Sequence, residues 1–331
     1  MKNSFIKLNN YLQSKMWLMA PLAITIGIIL GDNLSPYRYL AMYIFAFLTF
    51  TGSIGMRLSD FKRILKRPLP IFIFILYAHI VLPILGFLIC SIFFKSNKDI
   101  ILGYVLLLSG PVAVISFIWS DVYDGDGALS ISMIIVDTFV TPILMPIMAK
   151  ILIGDSIKIN VGGMMSSLCV MVVIPLIIGL AVNEVTKGKA KENAIVYLQP
   201  FGKIALFIAL ILTISKITKT IMGLRFNDLS ILLVNLGLTI SAFTLGYYNQ
   251  SKKMNEEERI SVSCGVGLRN NTVTLIIATT YYSSVTALPI IAGLLFQQFL
   301  ASTFCKKLFS EGKKKIIAAK LKEPKLKKVE E

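Results

Sequence analysis

The chain has 331 residues, of which 55% are hydrophobic, and its formal net charge is +16. A soluble domain is nearer 45–50% apolar, and the mean hydropathy of this chain is +0.74. The apolar residues occur in runs of about 20, the length that crosses a bilayer, and the basic residues flank these runs. We therefore predict an all-α polytopic membrane protein, and we exclude nucleic acid as the partner of the positive charge.

In chain order we predict ten membrane spans, at residues 16–31, 38–56, 69–94, 100–120, 127–150, 163–183, 197–215, 229–248, 258–280 and 284–304. Residues 1–15 form a cytoplasmic interfacial arm, and residues 306–331, with ten lysines, form a basic cytoplasmic tail. If the N-terminus is inside, 25 basic residues lie in inside segments and 8 in outside loops. This bias predicts that both termini are cytoplasmic at the cell membrane, with anionic lipids as partners of the tail.

Ten spans divide into two units of five, at residues 16–153 and 163–305. A unit with an odd number of spans that is repeated in tandem inserts in opposite orientations, which gives an inverted repeat. The fourth span of the first unit contains Gly110-Pro111, and that of the second contains Gly265 and Gly267. Matching interruptions are typical of a transporter's binding site, so we expect both helices to unwind there.

The second interruption carries a fixed charge, Arg269, inside an apolar span. Such a charge costs about 3 kcal/mol on insertion scales and is tolerated where it faces a cavity, a partner or a substrate. We therefore predict a substrate-binding site where the two interruptions meet. Its candidate residues are Pro111, Ser116, Gly265, Gly267, Arg269, Asn270, Asn271 and Thr272.

Asp137 lies inside the fifth span, where a carboxylate needs a cation or a proton. Two interpretations are open: Asp137 pairs or interacts electrostatically with Arg269, or it faces a water-filled vestibule. His79, the only histidine, is either a proton carrier or a hydrogen-bonded structural residue. With Ser130, which is equally suited to helix packing, these residues are the candidates for ion or proton coupling. Gln297-Gln298 contacts either substrate or neighbouring helices.

Three segments resemble the bile acid:sodium symporter family, in a superfamily that includes Acr-type arsenite exporters. They run from Gly55 to Pro68, from Pro111 to Ser130, and from Gly265 to Asn271 followed by Ala287-Leu288-Pro289. The resemblance implies ten transmembrane helices in two inverted five-helix repeats. It also implies that helices 4 and 9 unwind and cross at the substrate site, and that a six-helix core moves against a four-helix panel.

The chain departs from this family at the positions that hold sodium. The Ser-Asn pair of helix 4 is Ser116-Phe117 here, a threonine of helix 5 is Ile134, and a glutamate and a glutamine of helix 9 are Gly265 and Arg269. Phenylalanine, isoleucine and glycine side chains offer no oxygen ligand, and a guanidinium repels a cation. With these departures, the resemblance implies that Arg269 replaces bound sodium and holds a substrate carboxylate. The arsenite exporters carry a cysteine in helix 4 at the position of Val112, so the thiolate ligand for arsenite is missing here.

We therefore expect a secondary transporter that moves a small organic anion by alternating access, coupled to protons through Asp137 or uncoupled. Three alternatives are open: a sodium-coupled symporter of bile-acid-like anions with non-standard sites, an arsenite or metalloid exporter, and a membrane sensor that binds an anion without moving it. The chain has no phosphate-binding loop of the ATPase type and no nucleophile–base pair. We expect no enzyme activity, no cofactor and no resident metal.

Overall fold

The computed structural model of the protein describes residues 2–54, 56, 68–190, 194–224, 228–248, 253–312, 314 and 316. These residues form helices joined by turns, and their only β-type contact is an isolated bridge between Val112 and Arg269. The predicted all-α class is confirmed for this part of the chain. Six segments within it are long and apolar enough to cross a membrane, so the protein is a polytopic membrane protein.

The helices up to residue 153 are α1 (Lys2–Ser14), α2 (Met16–Leu30), α3 (Leu40–Ser53), α4 (Leu69–Phe93), α5 (Lys98–Ser109), α6 (Ile115–Val122) and α7 (Gly127–Ile153). Those after it are α8 (Val161–Val185), α9 (Val196–Ser215), α10 (Thr218–Met222), α11 (Leu229–Tyr248), α12 (Glu256–Gly267), α13 (Asn271–Tyr281), α14 (Leu288–Ser302) and α15 (Phe304–Leu308). The six membrane-crossing segments are α4, α7, α8, α9, α11 and the run Ser284–Leu308. Short 3₁₀ turns at Gly31–Tyr37, Gly154–Ser156 and Ser284–Ala287 complete the described elements.

The outer ends of these helices lie within four residues of the predicted spans. The fourth and ninth spans differ from the others because each is built from two short helices with a break between them: α5 and α6, and α12 and α13. The number of ten spans and the inverted repeat stay predictions. The basic segment from Gly55 to Pro68, on which part of the resemblance depends, lies mostly outside the described residues, and so does most of the basic tail.

A proline changes the hydrogen bonding in the middle of α4. The helix widens to a π-type turn at Tyr77–Val81, where the Leu82 N–H donates to the Tyr77 carbonyl five residues earlier. Pro83 follows and has no N–H to donate, and wide turns of this kind let a helix continue past such a residue. The carbonyl of Ala78 consequently has no helical partner, because Leu82 donates elsewhere and Pro83 cannot donate.

The helices pack as two groups. In the first, α9 packs on α2 and α3, and α8 also packs on α3. In the second, α5 packs on α4, α7 and α14, while α11 packs on α12 and α14. The first part of α8 joins the groups by contacting α7 and α13. At this contact the Tyr281 hydroxyl donates to the Gly163 carbonyl (2.6 Å) and lies 2.7 Å from the Ser167 hydroxyl. Both helix breaks lie inside the second group.

Candidate functional site at the two helix breaks

The break between α5 and α6 and the break between α12 and α13 are hydrogen-bonded to each other. Ala113 donates its N–H to the Leu268 carbonyl (2.9 Å), and Asn270 donates its N–H to the Pro111 carbonyl (2.6 Å). Irregular backbone at membrane depth is tolerated only where the protein itself satisfies its polar groups. Here each break supplies hydrogen-bond partners to the backbone of the other. Both helices therefore unwind as predicted, and they meet where they unwind.

Local sequence explains where each break begins and ends. Pro111 removes a backbone donor and clashes with the turn before it, so α5 stops just ahead of it. Asn270 begins α13 as its N-cap, and its side-chain oxygen accepts from the Val273 N–H (3.3 Å). Asparagine is among the preferred residues at that position. Pro111 thus ends α5 at the first break, and the side chain of Asn270 begins α13 at the second.

The predicted role of Gly265 and Gly267 is corrected by the structure. Both residues stay inside α12, which ends only after Gly267, so they do not unwind the helix. They allow close packing instead: a β-carbon on Gly265 would lie 3.2 Å from the Phe74 ring, and one on Gly267 would overlap the Phe243 ring. Sequence alone cannot separate these uses of glycine, since both need only the absence of a side chain.

Asp137 on α7 ties the first break to two helices. Its side chain is fully buried. Oδ2 accepts from the Val112 N–H (2.6 Å) and from the Thr141 hydroxyl (3.0 Å), and Oδ1 lies 2.5 Å from His79 Nε2. Burying a carboxylate is costly unless it is paired and hydrogen-bonded, and here both oxygens have partners. One side chain therefore connects α4, α7 and the backbone of the break.

The direct Asp137–Arg269 pair, one form of the first interpretation, is wrong. In the described part of the chain, the basic side chain that contacts the Asp137 carboxylate is His79. The charge of Arg269 still acts on the carboxylate through space, which is the weaker form of the same interpretation. Complete burial also argues against the alternative in which Asp137 faces a water-filled vestibule.

His79 lies in the π-type turn of α4 and is fully buried. Among the described residues, its imidazole contacts Asp137 through Nε2, while Nδ1 has no partner. The other partners of Asp137 are donors, so His79 fits the same pattern when a neutral imidazole donates from Nε2 and leaves Nδ1 as an unused acceptor. The histidine is thus hydrogen-bonded and still has one open proton-binding atom.

Arg269 lies in the second break, and 3% of its surface is exposed. Nη1 donates to the Gly265 carbonyl (3.5 Å) and Nη2 to the Ala78 carbonyl (3.4 Å), while Nε has no partner among the described residues. The first carbonyl is at the C-terminal, negative end of α12, and the second is the one that Pro83 leaves free. Two carbonyl oxygens and a nearby carboxylate therefore surround a fixed positive charge.

The amide of Gln297 on α14 closes the second break. It lies 3.0 Å from the Arg269 carbonyl oxygen, 3.2 Å from the Arg269 nitrogen and 3.1 Å from the Asn271 amide. The amide can therefore donate to the Arg269 carbonyl and accept from the Arg269 N–H, as the backbone of a neighbouring β-strand would. Of the two predicted interpretations of Gln297, the structure supports the contact between helices. The side chain of Asn270 likewise bonds within the protein, to the Val273 N–H, and that of Asn271 contacts Gln297.

The remaining candidates lie around the junction. Ser116 and Thr272 are buried in the first turns of α6 and α13, whose positive N-terminal ends lie beside the breaks. The Ser130 hydroxyl donates to the Asp126 carbonyl (3.1 Å) one turn earlier, and the structure does not bring it to Asp137. The sequence makes Thr141 either a helix-packing hydroxyl or a ligand, and the structure shows it donating to Asp137. Its position four residues after Asp137, on the same face of the helix, is the signal that predicts this contact.

Membrane transporters typically form their substrate site where two broken helices meet inside a helix bundle. This protein has that arrangement, with charged groups buried at the junction. Comparison with known proteins gives the family. Residues 42–224 match the model of the Sodium Bile acid symporter family, and the chain belongs to this family. The protein is therefore a secondary transporter and not an enzyme.

Individual relatives agree with this assignment. The chain is 31% identical to the Uncharacterized protein YbaS of Bacillus subtilis over 87% of this chain and 95% of that protein. It is 30% identical to the Probable sodium/metabolite cotransporter BASS3, chloroplastic, of Oryza sativa, over 72% of this chain and 56% of the relative. It is 20% identical to the Uncharacterized sodium-dependent transporter YocS of Bacillus subtilis, over 77% and 79%. The chain thus spans little more than half the length of the plant relative.

Proposed function

We propose that this protein moves a small organic anion by alternating access, with Arg269 at the crossover site in place of bound sodium. The observation that carries the proposal is the surroundings of the guanidinium: two carbonyl oxygens, from Gly265 and Ala78, and the charge of Asp137 close by. Oxygen atoms of this kind are the usual ligands of hard cations. A tethered cation in such a position needs no sodium ion beside it.

The architecture that we propose for this function has ten spans in two inverted repeats, with both termini cytoplasmic at the cell membrane and the basic tail on anionic lipids. The two packed groups of helices support it, because one group contains both breaks and the other does not. Movement of one group against the other would expose the junction alternately to each side. Proton coupling through Asp137 belongs to the same proposal, since that carboxylate holds the backbone of the first break.

A second candidate is a sodium-coupled symporter that uses non-standard sites. The names of the relatives favour it, since BASS3 is described as a sodium/metabolite cotransporter and YocS as a sodium-dependent transporter. The two candidates differ in one measurable respect. A transporter with a tethered cation binds its anion equally well when choline replaces sodium, whereas a sodium symporter does not.

The test is thermal stabilisation of the purified full-length protein by a panel of organic anions, with sodium or choline and at two pH values. A ligand that binds the folded state raises the unfolding temperature by mass action. We expect a stabilising anion whose effect is independent of sodium and is lost in Arg269→Gln, while Arg269→Lys, which keeps the charge, retains part of it. A shift that requires sodium would overturn the proposal in favour of the symporter.

Flux in proteoliposomes completes the test. The anion that stabilises the protein should enter sealed vesicles that contain wild-type protein, and Arg269→Gln vesicles should match empty ones. Binding without flux would instead identify a membrane sensor. Stabilisation by arsenite alone, with no organic anion active, would identify a metalloid exporter.

A further inference from the structure

His79 and Asp137 together hold a proton and leave room for one more. The 2.5 Å contact between Nε2 and Oδ1 carries one proton, whichever residue it is assigned to. The other oxygen of the carboxylate already accepts from Val112 and Thr141. The next proton that enters this pair therefore goes to His79 Nδ1, the buried nitrogen without a partner among the described residues. That second proton converts the imidazole to its cationic form.

The charges around His79 decide what this proton does. α7 contributes Asp137 and the second break contributes Arg269, and these two charges cancel. Two more helices pack on this turn of α4. α5 carries Lys98 and Asp99 in its first turn, and α12 carries Glu256, Glu257, Glu258 and Arg259 near its start. All of these lie about 12 Å or more along their helices from the breaks. Protonation of Nδ1 therefore leaves one uncompensated positive charge in a buried site. Such a charge is strongly unfavourable without a counter-ion.

We propose that His79 Nδ1 is the proton-binding atom of this transporter and that each monovalent anion is bound together with one proton. The inference rests on the proposed function, in which the junction binds an organic anion. The anion supplies the negative charge that balances the protonated imidazole. Each of the two ligands, anion and proton, therefore raises the affinity for the other by the same factor. The pair moves as a neutral unit, and a proton gradient then drives the anion without sodium.

The same contacts couple protonation of His79 to the backbone of the two breaks. Asp137 accepts from the Val112 N–H, which belongs to the first break, and His79 sits in the π-type turn next to the carbonyl that binds Arg269. A new charge on the imidazole changes the field on both groups at once. Loading of the site is thereby linked to the hydrogen bonds that hold the two breaks in this arrangement.

The chain offers an unusually direct measurement because His79 is its only histidine. Protein labelled with ¹³C,¹⁵N-histidine, with any affinity tag removed, gives one set of imidazole signals. In the ligand-free protein we expect Nε2 to carry hydrogen and Nδ1 to be unprotonated. At a fixed pH, a stabilising anion should shift the signal toward the protonated form. An Nδ1 signal that a bound anion leaves unchanged at every pH tested would overturn the proposal.

Binding provides the second arm. For one proton per anion, the dissociation constant should rise tenfold for each pH unit above the midpoint of the titration. His79→Gln keeps an N–H donor for Asp137 but does not titrate, so its dissociation constant should not vary with pH. Thr141→Val is the matched control, because it also removes a bond to Asp137 yet leaves His79 in place, and it should keep the tenfold dependence. A wild-type constant that is independent of pH, or an unchanged slope in His79→Gln, contradicts the inference.

The two proposals fail in different ways. If an anion binds and the affinity does not vary with pH, the transporter proposal stands and the role of His79 is refuted. If no anion of the panel binds, the proposed function fails, and the joint binding of anion and proton fails with it.

Discussion

Asp137→Asn is the substitution that tests the site most directly. The amide oxygen can still accept from the Val112 N–H and the Thr141 hydroxyl, but the amide nitrogen then faces His79 Nε2. The imidazole must accept there and carry its hydrogen on Nδ1, where the described residues offer no acceptor. A buried donor left unsatisfied costs about 1–3 kcal/mol, and Arg269 also loses its compensating charge.

The expected loss of stability combines the unsatisfied Nδ1–H of His79 and the uncompensated charge of Arg269. Removing one partner of a contacting buried ion pair costs about 3–5 kcal/mol. Arg269 interacts with Asp137 only through space, so we expect the free energy of unfolding to fall by about 3 kcal/mol. Asp99→Asn is the control. Its partly exposed carboxylate accepts one bond, from the Thr286 hydroxyl (3.3 Å), and substitutions of this kind change stability by about 0.5 kcal/mol.

Reversible unfolding in detergent measures both variants, and a double-mutant cycle with Arg269→Met isolates the electrostatic part. If the two charges interact, removing both should cost at least about 0.5 kcal/mol less than the sum of the single losses, which is the usual limit of additivity. A loss of less than about 0.5 kcal/mol in Asp137→Asn, or a cycle that is additive, would show that the carboxylate does not compensate Arg269.

Two further predictions concern packing. Gly267→Ala should cost about 1–3 kcal/mol by overlap with the Phe243 ring, whereas Gly237→Ala in α11, with nothing within 4 Å of the new carbon, should be neutral or gain up to about 1 kcal/mol; equal effects in the unfolding assay would remove the packing role. Tyr281→Phe deletes the bond to the Gly163 carbonyl, so the first turn of α8 should exchange its amide hydrogens faster by mass spectrometry. Unchanged exchange there would show that this hydroxyl does not hold α8 against α13.

The helix ends were predictable because the information for them is local. A bilayer requires a fixed length of apolar chain, and Pro111 marks a break through its own backbone chemistry. The sequence predicts the second break a few residues too early. Gly265 and Gly267 indicate flexible backbone, but in the structure they make room for the rings of Phe74 and Phe243, which come from distant parts of the chain.

The pairing of charges was less predictable because it depends on contacts between distant helices. Asp137 and His79 are 58 residues apart, and Asp137 and Val112 are 25 apart. Apolar spans have a weak periodicity of polar residues, so the face on which a single histidine lies cannot be read from the pattern. In a regular α-helix Pro83 would leave the carbonyl of His79 without a donor, so the free carbonyl of Ala78 follows from the π-type turn and not from the sequence.

The position of Arg269 also constrains what can drive transport. A bound sodium ion leaves the site in every cycle, and its gradient supplies energy only because it leaves. A guanidinium attached to the second break cannot dissociate, so it can stabilise the junction in every state but can contribute no ion gradient. If Arg269 stands where relatives bind a cation, the energy must come from another ligand that is released at each turnover. His79, buried beside the same carbonyl and carboxylate with an unused nitrogen, is the group in the described part of the junction whose chemistry allows this.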